Sequence, residues 1–141
     1  MAEPRSLLVR YRRYRPSVPV ARAKARALAE QWCLPRDIAD SLEWVVTELV
    51  TNAVIHGRAT RGSRVVVAYH LDDDLLRVEV RDAASGMPRV GAPAFADGEA
   101  ATGGRGLLVV AALADDWGVM PRVIGKSVWA EIAVSSKEAT S

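Results

Sequence analysis

Cysteine, histidine and phenylalanine are scarce in this chain: one Cys, two His and one Phe among 141 residues. The lone Cys33 has no partner for an internal disulfide, and no Cys or His cluster offers a zinc site, which excludes folds framed by disulfides or by zinc. Set between Trp32 and Leu34, Cys33 reads as a small buried residue and not as a reactive thiol. Long apolar runs are missing too. None approaches the roughly 18 residues that cross a bilayer, and no apolar stretch precedes a small-residue cleavage site near the N-terminus. The expected location is therefore cytoplasmic, with no membrane partner. Internal repeats and long linkers are also lacking, so a single domain over residues 1–141 is expected, with its core over about 5–134 and a frayed polar tail from Ser135 to Ser141.

Hydrophobic residues make up 50% of the chain and charged residues 26%, the proportions of a globular protein that folds in water. The net charge of +2 conceals an asymmetry. Residues 1–26 carry eight basic groups (Arg5, Arg10, Arg12, Arg13, Arg15, Arg22, Lys24 and Arg26) against the single acid Glu3, whereas the remainder carries eleven bases against sixteen acids. A basic arm on an acidic body suits nucleic acid or an acidic protein partner. The plainer reading is a solvated edge strand, because Arg10 and Arg12 alternate with Val9 and Tyr11, and nucleic acid is not the expected partner.

Alternation of Leu7, Val9 and Tyr11 predicts a strand over residues 6–14, ended by Pro16 and Pro19. Ala21, Ala25, Leu28 and Trp32 predict a helix from Val20 that Pro35 closes. A second helix should run from an Asp37 cap to Gly57, with Ile38, Leu42, Val45, Leu49 and Ala53 as its buried stripe. Val65 to Leu71 and Leu76 to Val80 alternate around Asp72-Asp73-Asp74 and predict a β-hairpin. Residues 83–103 form a Gly-, Ala- and Pro-rich loop, of the kind more often functional than incidental. Leu107 to Leu113 reads as a short buried helix, and strands over about 117–124 and 127–134 close the chain across Gly125-Lys126. Hairpin-paired strands with helices on one face make an α+β fold, a two-layer α/β sandwich.

Three features carry chemistry. Glu48 and Asn52 lie one turn apart, read here as the face of the second helix opposite its apolar stripe. A neutral Asn oxygen suits magnesium, and a neighbouring Glu suits a base for phosphoryl transfer; the bland reading is an exposed Glu and a helix-end Asn. Asp82, where a strand ends before Ala83-Ala84-Ser85-Gly86, can accept a hydrogen bond from an exocyclic amine such as that of adenine, with Gly86 letting backbone approach a flat ring; it also fits an ordinary turn. Thr102-Gly103-Gly104-Arg105-Gly106-Leu107-Leu108 brings backbone N–H groups to a helix start, a phosphate site unless these are linker glycines. It is neither a Walker loop, because no Gly-Lys-Ser or Gly-Lys-Thr ends it, nor a dinucleotide fingerprint, because no parallel strand–turn–helix unit surrounds it.

Taken together, these features resemble a known family. Glu48-Leu49-Val50-Thr51-Asn52-Ala53-Val54-Ile55-His56-Gly57 looks like the N-box of the GHKL ATP-binding superfamily, which includes gyrase, histidine kinases and MutL. It is most similar to the small anti-sigma factor serine kinases of bacteria. Asp82-x-Ala84-x-Gly86 falls where the family has its adenine box, with Ala84 in place of the usual first glycine. Gly104-x-Gly106 matches the second glycine box over the phosphates. Gly125-Lys126-Ser127 resembles the third, usually Gly-Thr, whose hydroxyl helps hold adenine. The likeness spans about residues 5–134.

The resemblance implies a Bergerat fold with a mixed, mainly antiparallel sheet and a lid over Met87 to Gly103. It implies ATP held by Asn52, Asp82, Gly86, Thr102, Gly104, Arg105, Gly106, Leu107 and Ser127, with Mg2+ on Asn52 and Glu48 as the catalytic base. The function implied is that of a serine/threonine protein kinase that, as a homodimer, binds a sigma factor and phosphorylates a STAS-type anti-anti-sigma protein. The alternative is a non-catalytic, ATP-dependent binding module of the same fold.

Overall fold

The computed structural model describes residues 5–56, 64–82, 107–121 and 125–134. In chain order the elements are β1 (Arg5–Arg12), α1 (Ser17–Gln31), α2 (Arg36–His56), β2 (Arg64–Leu71), β3 (Leu75–Asp82), a one-turn-and-more helix α3 over 107–113, β4 (Asp116–Pro121) and β5 (Lys126–Ala133). The strands form one sheet in the order β1-β2-β3-β5-β4. The resemblance implied a mixed sheet; among the described residues every pairing is antiparallel.

The two-layer α+β arrangement follows from where the apolar residues fall. Val65, Val67, Tyr69 and Leu71 of β2, Leu76, Val78 and Val80 of β3, and Val128, Ala130 and Ile132 of β5 are buried on one face. The helices cover that face, α2 packing on β2, β3 and β5 and α1 on α2 and β1. All five residues expected in the α2 stripe are buried, as are Val46 and Val50, which widen it. The other face carries a cross-strand set: Arg77 donates to Glu131 at 2.7 Å and lies 4.6 Å over the Trp129 ring, whose edge covers Gly118 so closely that a side chain there would collide with it.

Three local expectations need correction. α1 starts at Ser17, so Pro19 falls inside its first turn, where a helix has no use for the missing N–H. Ser17 is buried and its hydroxyl donates to the Arg12 carbonyl at 2.7 Å, tying the end of β1 to the start of α1. Cys33 is exposed. It takes a left-handed φ of 55° just past α1, where Leu34 N–H donates to Ala29 and Cys33 N–H to Glu30, the Schellman pattern that glycine usually completes. The helix over 107–113 is only half buried: Val110 is fully enclosed and Leu108 is 70% exposed.

Candidate nucleotide-binding cleft

β3 ends where β5 begins, α2 packs on both, and the cleft lies at that place. Asp82, the last residue of β3, pairs across the sheet with Val65 on one side and Lys126 on the other. Tyr11, Val65, Asp82, Lys126 and Pro121 thus form one row across all five strands. The cleft is lined by Leu49, Asn52 and Ala53 from α2, Val80 and Asp82 from β3, and Lys126 and Val128 from β5. Its walls are therefore mostly apolar, with one carboxylate, one amide and one ammonium set into them, the composition that suits a flat heterocycle carrying a few polar groups.

Asp82 is buried, and its Oδ1 lies 3.9 Å from Nε of Arg13, whose side chain is 4% exposed. Arg13 lies one residue past the end of β1, two positions after the buried Tyr11 and beyond the start of β2. Gly125 is held at φ +76°, and a Cβ there would collide with the Asp82 carbonyl oxygen. Only glycine brings the start of β5 this close to the end of β3.

Asn52 lies at the edge of the buried stripe of α2 and not on the opposite face that its spacing from Glu48 predicts. Leu49 and Ala53 flank it in the cleft wall, and it is half buried. Glu48, one turn earlier, is also half buried and lies outside the cleft lining. Among the described residues, no group of three or more His, Cys, Asp and Glu residues is assembled as a metal site, and no helix is long and apolar enough to cross a membrane.

The histidine kinase-like ATPase domain matches residues 13–132. The chain belongs to this family. Comparison with curated proteins found no significant match. Among solved structures, the chain is similar to the crystal structure of the RsbU and RsbW domains of Rv1364c from Mycobacterium tuberculosis, at 19% identity and a TM-score of 0.70, covering 92% of this chain and 32% of that one. The chain thus spans about a third of that protein's length, and at this identity the likeness concerns the fold.

In this histidine kinase-like ATPase domain, the residues predicted from sequence divide into three groups. Asn52 and Asp82, thirty positions apart, are brought together in one cleft. Leu107 is half buried and packs on the core as α3 begins. Gly86, Thr102, Gly104, Arg105, Gly106 and the expected lid lie outside the described residues.

Ser127 is not among the described residues that line the cleft. It pairs with Arg81 and Met120, the alternate set, while its neighbour Lys126 pairs with Asp82 and lines the cleft. Ser127 is itself fully buried. The parity of β5 could have revealed this, because Val128, Ala130 and Ile132 face inward and an even count back reaches Lys126. Arg13 had no comparable signal, since nothing local in the sequence links it to Asp82.

Proposed function

We propose that this histidine kinase-like ATPase domain is an anti-sigma factor type serine/threonine protein kinase that uses ATP and magnesium, binds a sigma factor as a homodimer, and phosphorylates a STAS-type anti-anti-sigma protein. The observation that carries the reading is the convergence of Asp82 and Asn52, from β3 and α2, on one apolar cleft. The RsbW domain named in the similar Mycobacterium tuberculosis structure accords with that class.

The residues present fit the ligands. Leu49, Ala53, Val80 and Val128 offer apolar walls to an adenine ring, and Asp82 offers an acceptor to its amine. Asn52 would supply a carbonyl oxygen to magnesium, whose remaining positions suit phosphate and water. Backbone N–H groups around Gly104 and Gly106 would hold the phosphates. Glu48, one helical turn from Asn52, would accept the proton of the attacking serine or threonine hydroxyl.

Phosphotransfer from labelled ATP to a coexpressed STAS-type protein tests this assignment. Glu48→Gln should keep ATP affinity and lower phosphotransfer by roughly 10²–10⁴-fold, the contribution of a positioned base. Parallel loss of affinity and rate would assign Glu48 to the support of Asn52 instead. Tight ATP binding with no transfer by the wild type would favour a non-catalytic, nucleotide-dependent binding module.

A further inference from the structure

The basic N-terminal segment, whose arginines suggested an external partner, sends one of them inward. The Arg13 side chain is nearly sealed from water, and its Nε lies 3.9 Å from the carboxylate of Asp82, the only acid in the cleft lining among the described residues. The geometry points to Arg13 as a positioning residue for base recognition: it holds the Asp82 carboxylate in one orientation, so that the cleft favours a purine bearing a 6-amino group. This rests on the proposed reading of Asp82 and adds to it a residue from a different strand.

Arg remains charged at any ordinary pH, and a buried charge requires a counter-charge, which Asp82 supplies. The converse is also true. A buried carboxylate is held by the groups around it, and its power to tell an amine from a carbonyl depends on where its acceptor oxygens point. A fixed cation beside Oδ1 favours one orientation.

The contact is 3.9 Å, longer than a hydrogen bond, so it acts through charge and packing. The groups facing Asp82 from the surrounding elements are Arg13 beyond β1, Val65 of β2, Asn52 of α2 and Lys126 of β5. Lys126 begins its strand at the rim and is half buried, whereas Arg13 is enclosed, which makes Arg13 the better fixed of the two cations.

The experiment compares two nucleotides that differ only at the 6-position, ATP and purine riboside triphosphate, by titration calorimetry on the full chain. The wild type should bind ATP about tenfold more tightly, one good hydrogen bond's worth. In Arg13→Gln, folded by near-UV circular dichroism, the preference should fall to within about twofold while binding of the analogue is unchanged. Arg13→Lys, which restores the charge, should recover most of the preference. In the wild type, the Arg13 Nε–H resonance, assigned by its loss in Arg13→Lys, should shift with ATP and not with the analogue, and this readout decides the matter if Arg13→Gln does not fold. Equal weakening of both nucleotides would reduce Arg13 to a structural ion and overturn the inference. An unchanged preference in Arg13→Gln would overturn it while leaving the Asp82 reading intact. A wild type that binds ATP without preferring it over the analogue would overturn the Asp82 reading, and this inference with it.

Discussion

Two arginine–carboxylate contacts in this fold invert the usual link between good geometry and importance. Between α1 and α2, Glu43 accepts from Arg22 Nε and Arg26 Nη1 at 2.8 Å each, with the arginine side chains 56% and 65% exposed. Between the ends of β1 and β3, Arg13 and Asp82 approach only to 3.9 Å but are 4% and 8% exposed. Water reaches both guanidinium groups of the first contact, though little of Glu43, whose side chain is 13% exposed, and it reaches almost none of the second. The surface clamp is geometrically better and energetically small, because its partners lose little when separated. The buried pair is longer and costlier to break, because water replaces little of what either member loses when the other is removed.

The largest expected effect tests that contrast directly. Arg13→Met should lower the unfolding free energy by about 3–5 kcal/mol, and adding Asp82→Leu should recover much of the loss, because the stranded carboxylate is then gone. Glu43→Gln should cost at most about 1 kcal/mol, and less at high salt. Denaturant titrations of these variants measure both, and a comparable cost for Arg13→Met and Glu43→Gln would break the comparison.

Ligand binding should separate the same two regions. Asp82→Asn should weaken ATP binding about ten- to a hundredfold, roughly 1–3 kcal/mol, by presenting an amide where the base amine needs an acceptor. Glu43→Gln should leave affinity unchanged. Calorimetry giving equal ATP affinity for the wild type and Asp82→Asn would remove Asp82 from base recognition.

Alkali provides a comparison with buried groups that have no counter-charge. The hydroxyls of Tyr11 and Tyr69 are buried without a hydrogen-bond partner. Burial raises both pKa values, that of Tyr69 well above the usual phenol range with a further push from Tyr11. A raised folded pKa means that the unfolded chain loses the proton first. The stabilisation is therefore complete below about pH 10 and is lost as pH rises towards the folded value, at up to about 1.4 kcal/mol per pH unit for Tyr69. Urea melts from pH 8 to 11.5 should show this decline, and Tyr69→Phe should flatten it. An equal slope in the variant would assign the decline to other groups.

The smallest effect lies at the end of α1, far from either contact. Cys33→Gly should raise stability by about 0.5 kcal/mol, the relief of a left-handed side chain set against the greater freedom of glycine when unfolded. Thermal melts under reducing conditions read the difference, and a lower melting temperature would mean that the cysteine side chain contributes packing at this site.

What the sequence disclosed was whatever is periodic or local. The alternation of β2 and β3 and the α2 stripe from Ile38 to Ala53 depend on neighbours two to four positions away, and the structure follows them closely. Asn52 and Asp82 were legible as chemistry because their residue types are unusual where they stand. Other features depended on parity or on distance. Lys126 and Ser127 exchange roles with a one-residue change in strand phase, which a Gly-Lys-Ser string does not reveal. The left-handed turn at Cys33 belongs to a residue that rarely makes one. Arg13 meets Asp82 across 69 positions of chain, through the pairing of β1 with β2 and β2 with β3, and that contact exists only once the sheet is assembled.

β1 forms one margin of the sheet, and its outward positions are Ser6, Leu8, Arg10 and Arg12. An open margin invites another strand to add to it, and charge is a common means of preventing this. A second copy docking edge to edge in antiparallel fashion would bring Arg10 and Arg12 into a shared row of positive charge with few acids to relieve it. The bases that give this end of the chain its polycationic character therefore guard against runaway strand addition. A homodimer of the kind proposed above, if built edge to edge on β1, would have to accommodate that charge.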